Sequence, residues 1–478
     1  MTPDRLFAPG LRGFSASTMT VVAVAAYNNL SVGAALPAIG EDLGSLELLP
    51  WVVTVELITS AIATLAIGPV IDGIGTRRIY RVSLVAFAIT CVACAVAPTM
   101  GALVAARAAQ GLAGGAIIAN VMAAIGLGVP EPLRARAYAI NSSVWGVMGL
   151  AGPALAAVVV TVAGWPAIFL INLPVAFGAA VVGWNHFPGP VEEGRVRADW
   201  RGLLLLTVFT VLTLVGFSIP GVWTAVAAVG SLALIAVYVV HERRTEPPVL
   251  RVRHLASSQF RRLHLIAVLA VVSGIGSNSF LTLYVKGTRG FTTGAAAFTV
   301  LFLTVGWTTG AIVSSKLVEW RSSEFAVRVG AVVLTIGVTG AVVVVAADLP
   351  VWLIFIAYTL VGYGLGAVSS SILIVLQAKA KPAEMGRLIS AHQFVRTLGF
   401  SYGAAIAGAA LFGVVVNRLG DADEVRDLLS DEVVVTSAAA VEALRDGFLL
   451  AVVVSAVFGW VALAFALQLQ EEPAPVGA

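Results

Sequence analysis

The chain has 478 residues, of which 59% are hydrophobic and 12% are charged, and its mean hydropathy is +0.96. Soluble domains carry about 25% charged residues, so the composition excludes a soluble domain and predicts an integral membrane protein.

The apolar residues predict fourteen membrane spans, since a span takes roughly 20 residues. In chain order they are 17–39, 49–71, 81–98, 101–128, 138–163, 166–185, 202–219, 221–240, 265–285, 294–314, 326–346, 350–377, 388–416 and 447–468. The first is too long for the core of a cleavable signal peptide, and it is therefore predicted to be a retained span.

The positions of Lys and Arg predict the orientation of these spans. With the N-terminus inside, 22 of the 29 basic residues fall on the cytoplasmic side, 5 fall outside, and Arg107 and Arg396 fall within spans. Cytoplasmic loops carry the excess of Lys and Arg in membrane proteins, so both termini are predicted to be cytoplasmic. We therefore expect a multi-pass protein of the cell inner (plasma) membrane, whose basic loops face anionic lipid and not nucleic acid.

The spacing of the spans predicts three regions. Residues 1–186 are expected to form an N-terminal six-helix bundle, and residues 187–264 to hold two extra transmembrane helices with cytoplasmic linkers. Residues 265–478 are expected to form a C-terminal six-helix bundle with an acidic external loop at 417–446.

One acidic residue falls inside a predicted span. Of the 26 Asp and Glu residues, 13 fall in cytoplasmic segments and 12 in external ones, which leaves Glu56. Ionisable residues within spans are expensive and mark functional sites. Glu56 is therefore a candidate proton carrier, with Arg107 as its modulator. A structural Glu56–Arg107 pair, a glutamate in water at the mouth of the protein, and direct binding of a cationic substrate to Glu56 remain open alternatives.

The most specific motif follows the second span. It reads Gly68-Pro-Val-Ile-Asp72-Gly-Ile-Gly75-Thr-Arg77-Arg78. Asp72 lies at a predicted helix end near two arginines, so it can form a charge-assisted contact between neighbouring helices on the cytoplasmic side. We expect this gate to favour the outward-open state and to break when the protein opens inward.

Two further motifs lie within spans. Span four contains Arg107-Ala-Ala-Gln110-Gly111, and span five contains Gly149-Leu-Ala-Gly152-Pro153. Pro153 removes a helical hydrogen bond and can kink its span, so Gly152 and Pro153 are a candidate hinge.

Together these segments resemble the major facilitator superfamily, whose members carry G-x-x-x-D-x-x-G-x-R-R/K after span two and R-x-x-Q-G in span four. Further fragments, such as Trp51-Val-Val-Thr54 and Asp199-Trp200-Arg-Gly202, are similar to its fourteen-span drug:proton antiporter branch. The resemblance covers nearly the whole chain in order.

The chain departs from this branch at two positions. Asn28 stands where the family commonly has an Asp in span one, and Glu56 stands where a Tyr is common in span two. We infer that the protonatable group has moved from span one to span two. In span five, Ala156-Ala157 replaces the glycine pair of the exporter motif G-P-x-x-G-G, which weakens the inference of antiport.

The resemblance implies an all-α major facilitator fold, with two six-helix bundles plus two inserted transmembrane helices and a substrate site near the bilayer midplane. Polar side chains on the spans that face the cavity in this fold are candidate substrate contacts. They are Asn28, Glu56, Gln110, Asn141, Asn278, His392 and Arg396. His392 precedes Arg396 by one helical turn, so the two share a face. It is either a hydrogen-bonded structural residue, a second titrating site or a contact to an anionic substrate.

The function predicted on these grounds is secondary active, proton-coupled export of small amphipathic or cationic compounds by alternating access. Its partners would be the small-molecule substrate, protons and membrane lipids, with no cofactor, no nucleic acid and a monomeric state. One alternative is an exporter or flippase of an endogenous lipid or metabolite, whether or not it is driven by protons. Another is a receptor or scaffold that does not transport.

An enzyme is not expected, because the sequence offers no nucleophile–base pair, no cluster of metal ligands and no phosphate-binding loop. Cys91 and Cys94 have CxxC spacing but lie in an apolar span without a flanking cation. They are predicted to pack as small buried residues.

Overall fold

The computed structural model describes residues 5–45, 48–49, 51–189, 199–218, 222–246, 248–250, 252, 260–292, 296, 298–419 and 438–471. The regular elements of the described residues are all helical. They are α1 (Arg12–Leu43), α2 (Trp51–Ile74), α3 (Thr76–Ala95), α4 (Met100–Gly128), α5 (Glu131–Ala163), α6 (Ala167–Leu170), α7 (Asn172–Gly183), α8 (Trp200–Ser218), α9 (Val222–Glu242), α10 (Arg261–Asn278), α11 (Leu281–Arg289), α12 (Thr299–Trp320), α13 (Ser323–Ala346), α14 (Val351–Lys379), α15 (Met385–Leu419) and α16 (Ala438–Leu467). A short 3₁₀ turn, Pro382–Glu384, precedes α15.

Among these helices, ten are long and apolar enough to cross a membrane, and α5 makes an eleventh if its two bent halves count as one span. Three shorter apolar helices also occur, at Ala167–Gly183, Trp200–Thr213 and Val229–Glu242. The all-helical membrane architecture is confirmed. The count of fourteen spans remains a prediction.

The helices form two compact units. The first comprises Met1–Ser257 with Leu373–Phe394, and the second comprises Ser258–Ile372 with Val395–Ala478. The first unit thus holds α1 to α9, the end of α14 and the start of α15. The predicted linkers within 187–264 and the acidic loop at 417–446 lie partly outside the described residues, and the three-region division of the chain stays a prediction.

In the first unit, α2 and α4 cross with their backbones in contact. A Cβ atom added at Gly111 would lie 2.4 Å from the carbonyl oxygen of Glu56, and one added at Gly115 would lie 2.2 Å from that of Ser60. Small residues spaced four apart let helices approach closely in lipid, where apolar burial gives no driving force. The two glycines therefore set the distance between α2 and α4, and with it the position of Glu56.

Helices α8 and α9 form a hairpin held by polar contacts. Asp199 caps the start of α8 by accepting the Gly202 backbone N–H at 2.8 Å, and the same oxygen lies 2.8 Å from Nε2 of His241. Thr213 and Ser231 share a buried hydrogen bond of 2.9 Å near the middle of the pair. These bonds satisfy polar groups that would otherwise be buried without partners.

In the second unit, α12 and α14 cross in the same way as α2 and α4. A Cβ atom at Gly310 would lie 2.0 Å from the carbonyl oxygen of Tyr363, and one at Gly366 would lie 2.0 Å from that of Trp307. Ser322 caps the N-terminus of α13, since its hydroxyl accepts the Phe325 backbone N–H at 3.0 Å and so satisfies one of the free donors of the first turn.

Candidate functional site

Glu56 and Arg107 face each other across the α2–α4 crossing. Their side chains are 4% and 1% exposed, and Nη2 of Arg107 lies 3.7 Å from Oε2 of Glu56. That distance is longer than a direct hydrogen bond, so the two groups form an ion pair without a short bond between them. A buried carboxylate is thereby placed beside a cation within the membrane-spanning part of the protein.

Arg107 is held mainly by other partners. Its Nε donates to the Val52 carbonyl oxygen at 3.0 Å, and its Nη1 donates to Oε1 of Gln110 at 2.5 Å and to Oδ1 of Asn28 at 3.4 Å. The guanidinium therefore keeps three acceptors whatever the charge on Glu56. Its position does not depend on the ion pair alone.

The two cysteines orient Gln110. The Gln110 amide donates to Sγ of Cys91 at 3.2 Å, and Cys94 donates to Oε1 of Gln110 at 3.6 Å. Both thiols are free and buried, in agreement with the prediction that they pack inside a span. Their hydrogen bonds to Gln110 could not be read from the sequence, because the CxxC spacing does not show which helix faces it.

At the C-terminal end of α2, Asp72 meets the start of α15. Its carboxylate accepts the backbone N–H groups of Gly386 at 2.7 Å and Arg387 at 3.2 Å, and Nη1 of Arg387 lies 3.7 Å away. The first N–H groups of a helix have no partner within the helix and carry partial positive charge. Asp72 thus satisfies two of these donors in α15.

This contact depends on glycine on both sides. A Cβ atom at Gly386 would lie 2.6 Å from Oδ1 of Asp72, and one at Gly68 would lie 2.9 Å from the Cβ atom of Ser390. Any larger side chain at either position would push α2 and α15 apart. Gly68 of the motif is therefore a contact residue.

The motif arginines do not pair with Asp72. Arg77 donates from Nε to the Phe187 carbonyl oxygen at 2.7 Å, and Arg78 is exposed. Gly75 has a φ of 81°, a backbone conformation that residues other than glycine rarely adopt. This conformation lets the chain turn from α2 into α3. The sequence predicted a contact of Asp72 between neighbouring helices but did not reveal its partners, the backbone N–H groups of Gly386 and Arg387.

A second polar contact lies near this end of the first unit. Nε2 of Gln377, at the end of α14, donates to the Met122 carbonyl oxygen at 2.9 Å and also contacts the hydroxyl of Tyr138. A Cβ atom at Gly126 would lie 2.9 Å from Cδ of Gln377. Sequence reasoning missed Gln377, because an isolated glutamine at the end of an apolar helix carries no motif.

Helix α5 bends by 41° between Glu131–Gly149 and Ala151–Ala163. Pro153 lies four residues after Gly149, and a proline ring clashes with the carbonyl of the residue four positions earlier. Gly152 approaches α1, since a Cβ atom there would lie 3.6 Å from Cβ of Leu30. The predicted hinge residues thus lie at a bend of the helix, and their role in transport stays a prediction.

The other predicted cavity residues are not part of the Glu56 network. Asn141 on α5 and His392 on α15 are buried in the first unit, at 4% and 1% exposure. Asn278 ends α10 in the second unit, and its Oδ1 is buried without a hydrogen-bond partner among the described residues.

Arg396 lies on α15 in the second unit. Its Cζ lies 5.9 Å from the centroid of the Phe400 ring, and Phe400 stacks on Trp307 with centroids 6.4 Å apart and an interplanar angle of 22°. Its Nε is buried and has no hydrogen-bond partner within the described part of the chain.

The described residues contain no group of three or more His, Cys, Asp or Glu side chains that could hold a metal ion. They instead place the Glu56 carboxylate and Arg107 in a buried polar network, and they place Asp72 in contact with α15 at the C-terminal end of α2. Many apolar spans around such a network define a multi-pass membrane transporter.

The family follows from the sequence match. The model of the Major Facilitator Superfamily matches residues 18–404, and the chain belongs to that family. Its members are transporters and not enzymes.

Among curated proteins, a probable multidrug-efflux transporter of Mycobacterium tuberculosis is 29% identical over 413 residues, which are 83% of this chain and 86% of that protein. The multidrug transporter protein MdtP of Bacillus subtilis is 26% identical over 401 residues, 82% of this chain and 73% of that protein. The human organic anion transporter MFSD10 has a similar structure, with a TM-score of 0.67, 14% identity, and coverage of 96% of this chain and 100% of that one. At that identity the likeness shows the fold alone.

Proposed function

We propose that this transporter exports small amphipathic compounds, lipophilic cations among them, in exchange for protons. The observation that carries the proposal is the buried pair of Glu56 and Arg107, 3.7 Å apart, inside the membrane-spanning part of the first unit. Relatives named as multidrug-efflux transporters support the direction of transport and the broad substrate class. We place the protein in the inner (plasma) membrane with both termini cytoplasmic, acting as a monomer of fourteen spans among membrane lipids.

Glu56 is proposed to carry the proton. When it is charged, the ion pair with Arg107 offsets the unfavourable burial of both groups. When it is protonated, Arg107 keeps its bonds to Val52, Gln110 and Asn28, so the guanidinium stays in place while the attraction across the α2–α4 crossing is lost. A cationic substrate that approaches Glu56 would compete with Arg107 and with the proton for the same carboxylate. That competition couples export of a cation to proton entry.

The contact of Asp72 with the start of α15 is proposed to be the cytoplasmic gate. A charge-assisted hydrogen bond contributes about 1.5–3 kcal/mol, so breaking this contact would be a sizeable part of the free energy of opening. The bend at Gly152 and Pro153 is proposed to be the hinge at which α5 adjusts when the gate opens.

The proposal is tested by accumulation of a fluorescent lipophilic cation in bacteria that lack their own efflux pumps. Cells with the wild type, Glu56→Gln, Glu442→Gln or an empty vector are compared with and without an uncoupler. Glu442 is an exposed glutamate that pairs with Arg418, and it provides a matched control for the same substitution.

We expect the wild type and Glu442→Gln to lower accumulation, and the uncoupler or Glu56→Gln to abolish this effect. Export that survives Glu56→Gln and the uncoupler would refute proton coupling through Glu56. No difference between the wild type and the empty vector, with the protein present in the membrane, would favour an endogenous lipid or metabolite as substrate, or a receptor that does not transport.

A further inference from the structure

The second unit contains an arginine that lacks the partners its neighbours have. Nε of Arg396 is buried without a hydrogen-bond acceptor among the described residues, and no Asp or Glu of these residues forms an ion pair with this side chain. Cζ of Arg396 lies over the Phe400 ring, 5.9 Å from its centroid. Cation–π attraction of this kind is weaker than the loss of hydration on removing a guanidinium from water.

Other arginines of the same unit show how the protein normally satisfies this group. Arg289 also lies over a ring, 5.8 Å from the centroid of Tyr284, but its Nη2 pairs with Asp348 at 2.8 Å. Arg328 pairs with Glu471 at 2.8 Å. Arg396 is therefore distinguished by the absence of an acidic partner among the described residues, and not by its place over an aromatic ring.

The surroundings of Arg396 are suited to an aromatic compound. Phe400 and Trp307 stack on each other and so join α15 to α12, and both rings are partly exposed, as is Arg396 itself. Arginine within a span normally faces a water-filled cavity or a partner, because hydrocarbon does not solvate it. A guanidinium that is stacked on one side and unpaired at its edge has donors free for a bidentate contact to an anion.

The balance of charge points the same way. Glu56 and Arg107 offset each other in the first unit, whereas the positive charge of Arg396 has no such counterpart in the described part of the second unit. An anionic group bound at Arg396 would supply the missing counter-charge.

We propose that Arg396, Phe400 and Trp307 form a binding site for aromatic compounds that carry a carboxylate or sulfonate. Arg396 binds the anionic group and the two rings stack on the aromatic part. This extends the substrate class of the proposed exporter to aromatic anions and zwitterions. Transport of these compounds rests on the proposed function, whereas their binding at this site does not.

Binding is measured on the full-length protein in lipid nanodiscs by fluorescence polarisation, without a pH gradient. The probes are fluorescein, an anionic xanthene with a free carboxylate, and rhodamine 6G, a xanthene whose carboxyl is esterified and whose charge is positive. The variants are Arg396→Gln, Arg396→Lys, Phe400→Leu and the matched control Arg289→Gln, each first checked for a single folded species by size exclusion and thermal melting.

We expect fluorescein to bind the wild type and Arg289→Gln alike. Arg396→Gln should weaken this binding at least about tenfold, equivalent to roughly 1.4 kcal/mol, because a charged hydrogen-bond donor is lost. Arg396→Lys should give an intermediate affinity, since lysine keeps the charge without the bidentate geometry. Phe400→Leu should weaken binding independently, and rhodamine 6G should bind Arg396→Gln at least as well as it binds the wild type.

Equal fluorescein affinity in the wild type and Arg396→Gln would overturn the proposal, as would the absence of saturable fluorescein binding to the folded wild type. The cell experiment on cation export fails or succeeds separately. Arg396-dependent binding of fluorescein without any uncoupler-sensitive export would leave this site standing and refute the proposed proton-coupled transport.

Discussion

Arg107 and Gln110, one turn apart on α4, share a hydrogen bond of 2.5 Å, shorter than the 3.7 Å that separates Arg107 from Glu56. The neutral amide, not the carboxylate, fixes the guanidinium. Removing Glu56 therefore leaves Arg107 with its hydrogen bonds, whereas removing Arg107 leaves Glu56 without its cation. This difference in stability can be measured.

Replacing Arg107 should destabilise the protein more than replacing Glu56. Arg107→Gln leaves a buried carboxylate without its cation, which typically costs about 3–5 kcal/mol, whereas Glu56→Gln leaves Arg107 with three acceptors. Thermal melting of the purified variants in detergent provides the measurement. The double variant, Glu56→Gln with Arg107→Gln, should have a higher melting temperature than Arg107→Gln alone. A melting temperature of the double variant below those of both single variants would contradict this account.

The α2–α4 crossing should not tolerate a methyl group at Gly111. The added Cβ atom would lie 2.2 Å from Oγ1 of Thr59 and 2.4 Å from the Glu56 carbonyl oxygen, so Gly111→Ala must separate the helices. We expect a loss of a few kcal/mol of stability, as is usual for overpacking, and loss of export. Gly101→Ala, on the same helix with nothing within 4 Å, is the matched control and should melt like the wild type.

Removing the carboxylate of Asp72 should open the cytoplasmic side. Ser390 is 1% exposed next to Gly68, so Ser390→Cys serves as a probe for a membrane-impermeant thiol reagent. Combined with Asp72→Ala, the probe should react about tenfold faster, because two backbone donors lose a charged acceptor. Asp72→Asn keeps one oxygen acceptor and should give a smaller increase. Identical labelling rates with and without the carboxylate would show that Asp72 does not hold the gate.

The bend in α5 should respond to Pro153. Pro153→Ala restores a backbone N–H and removes the clash with the preceding turn, so the folded protein should be as stable as the wild type or more so. If the bend serves transport, export of the fluorescent cation should fall all the same. Pro37→Ala provides the control, since α1 contains Pro37 and is counted as one continuous span. Unchanged export by Pro153→Ala would exclude the hinge.

Sequence analysis predicted a role for Glu56 and Arg107 from their positions inside predicted spans, and that role stays a prediction. Glu56 is the one Asp or Glu residue that falls outside the predicted loops, and Arg107 is one of two arginines that fall inside predicted spans. The amphipathic periodicity of a helix shows which residues share a face, but it does not show which helix that face meets. The hydrogen bonds of Gln110 to Cys91 and Cys94 were therefore beyond prediction.

The partners of Asp72 were missed for a further reason. Gly386 lies 314 residues away along the chain, and it contributes a backbone N–H that every residue type except proline would offer. A motif search compares side-chain identities, so it cannot detect main-chain hydrogen-bond donors. Gln377, whose side chain donates to the Met122 carbonyl oxygen, carried no signal for a different reason, since it is an isolated polar residue outside any motif.

The backbone donors of Gly386 and Arg387 also determine which positions of the contact with Asp72 are free to vary. Position 387 can change among most residue types and still present its N–H to Asp72, whereas position 386 has space for glycine alone. A change at position 72 removes the acceptor itself. The contact is thus encoded unequally by its two helices. Helix α2 must preserve the Asp72 carboxylate and Gly68, whereas α15 needs only Gly386 and free backbone N–H groups in its first turn. Substitutions in the first turn of α15 would preserve the contact with Asp72 unless they replaced Gly386 or introduced a proline.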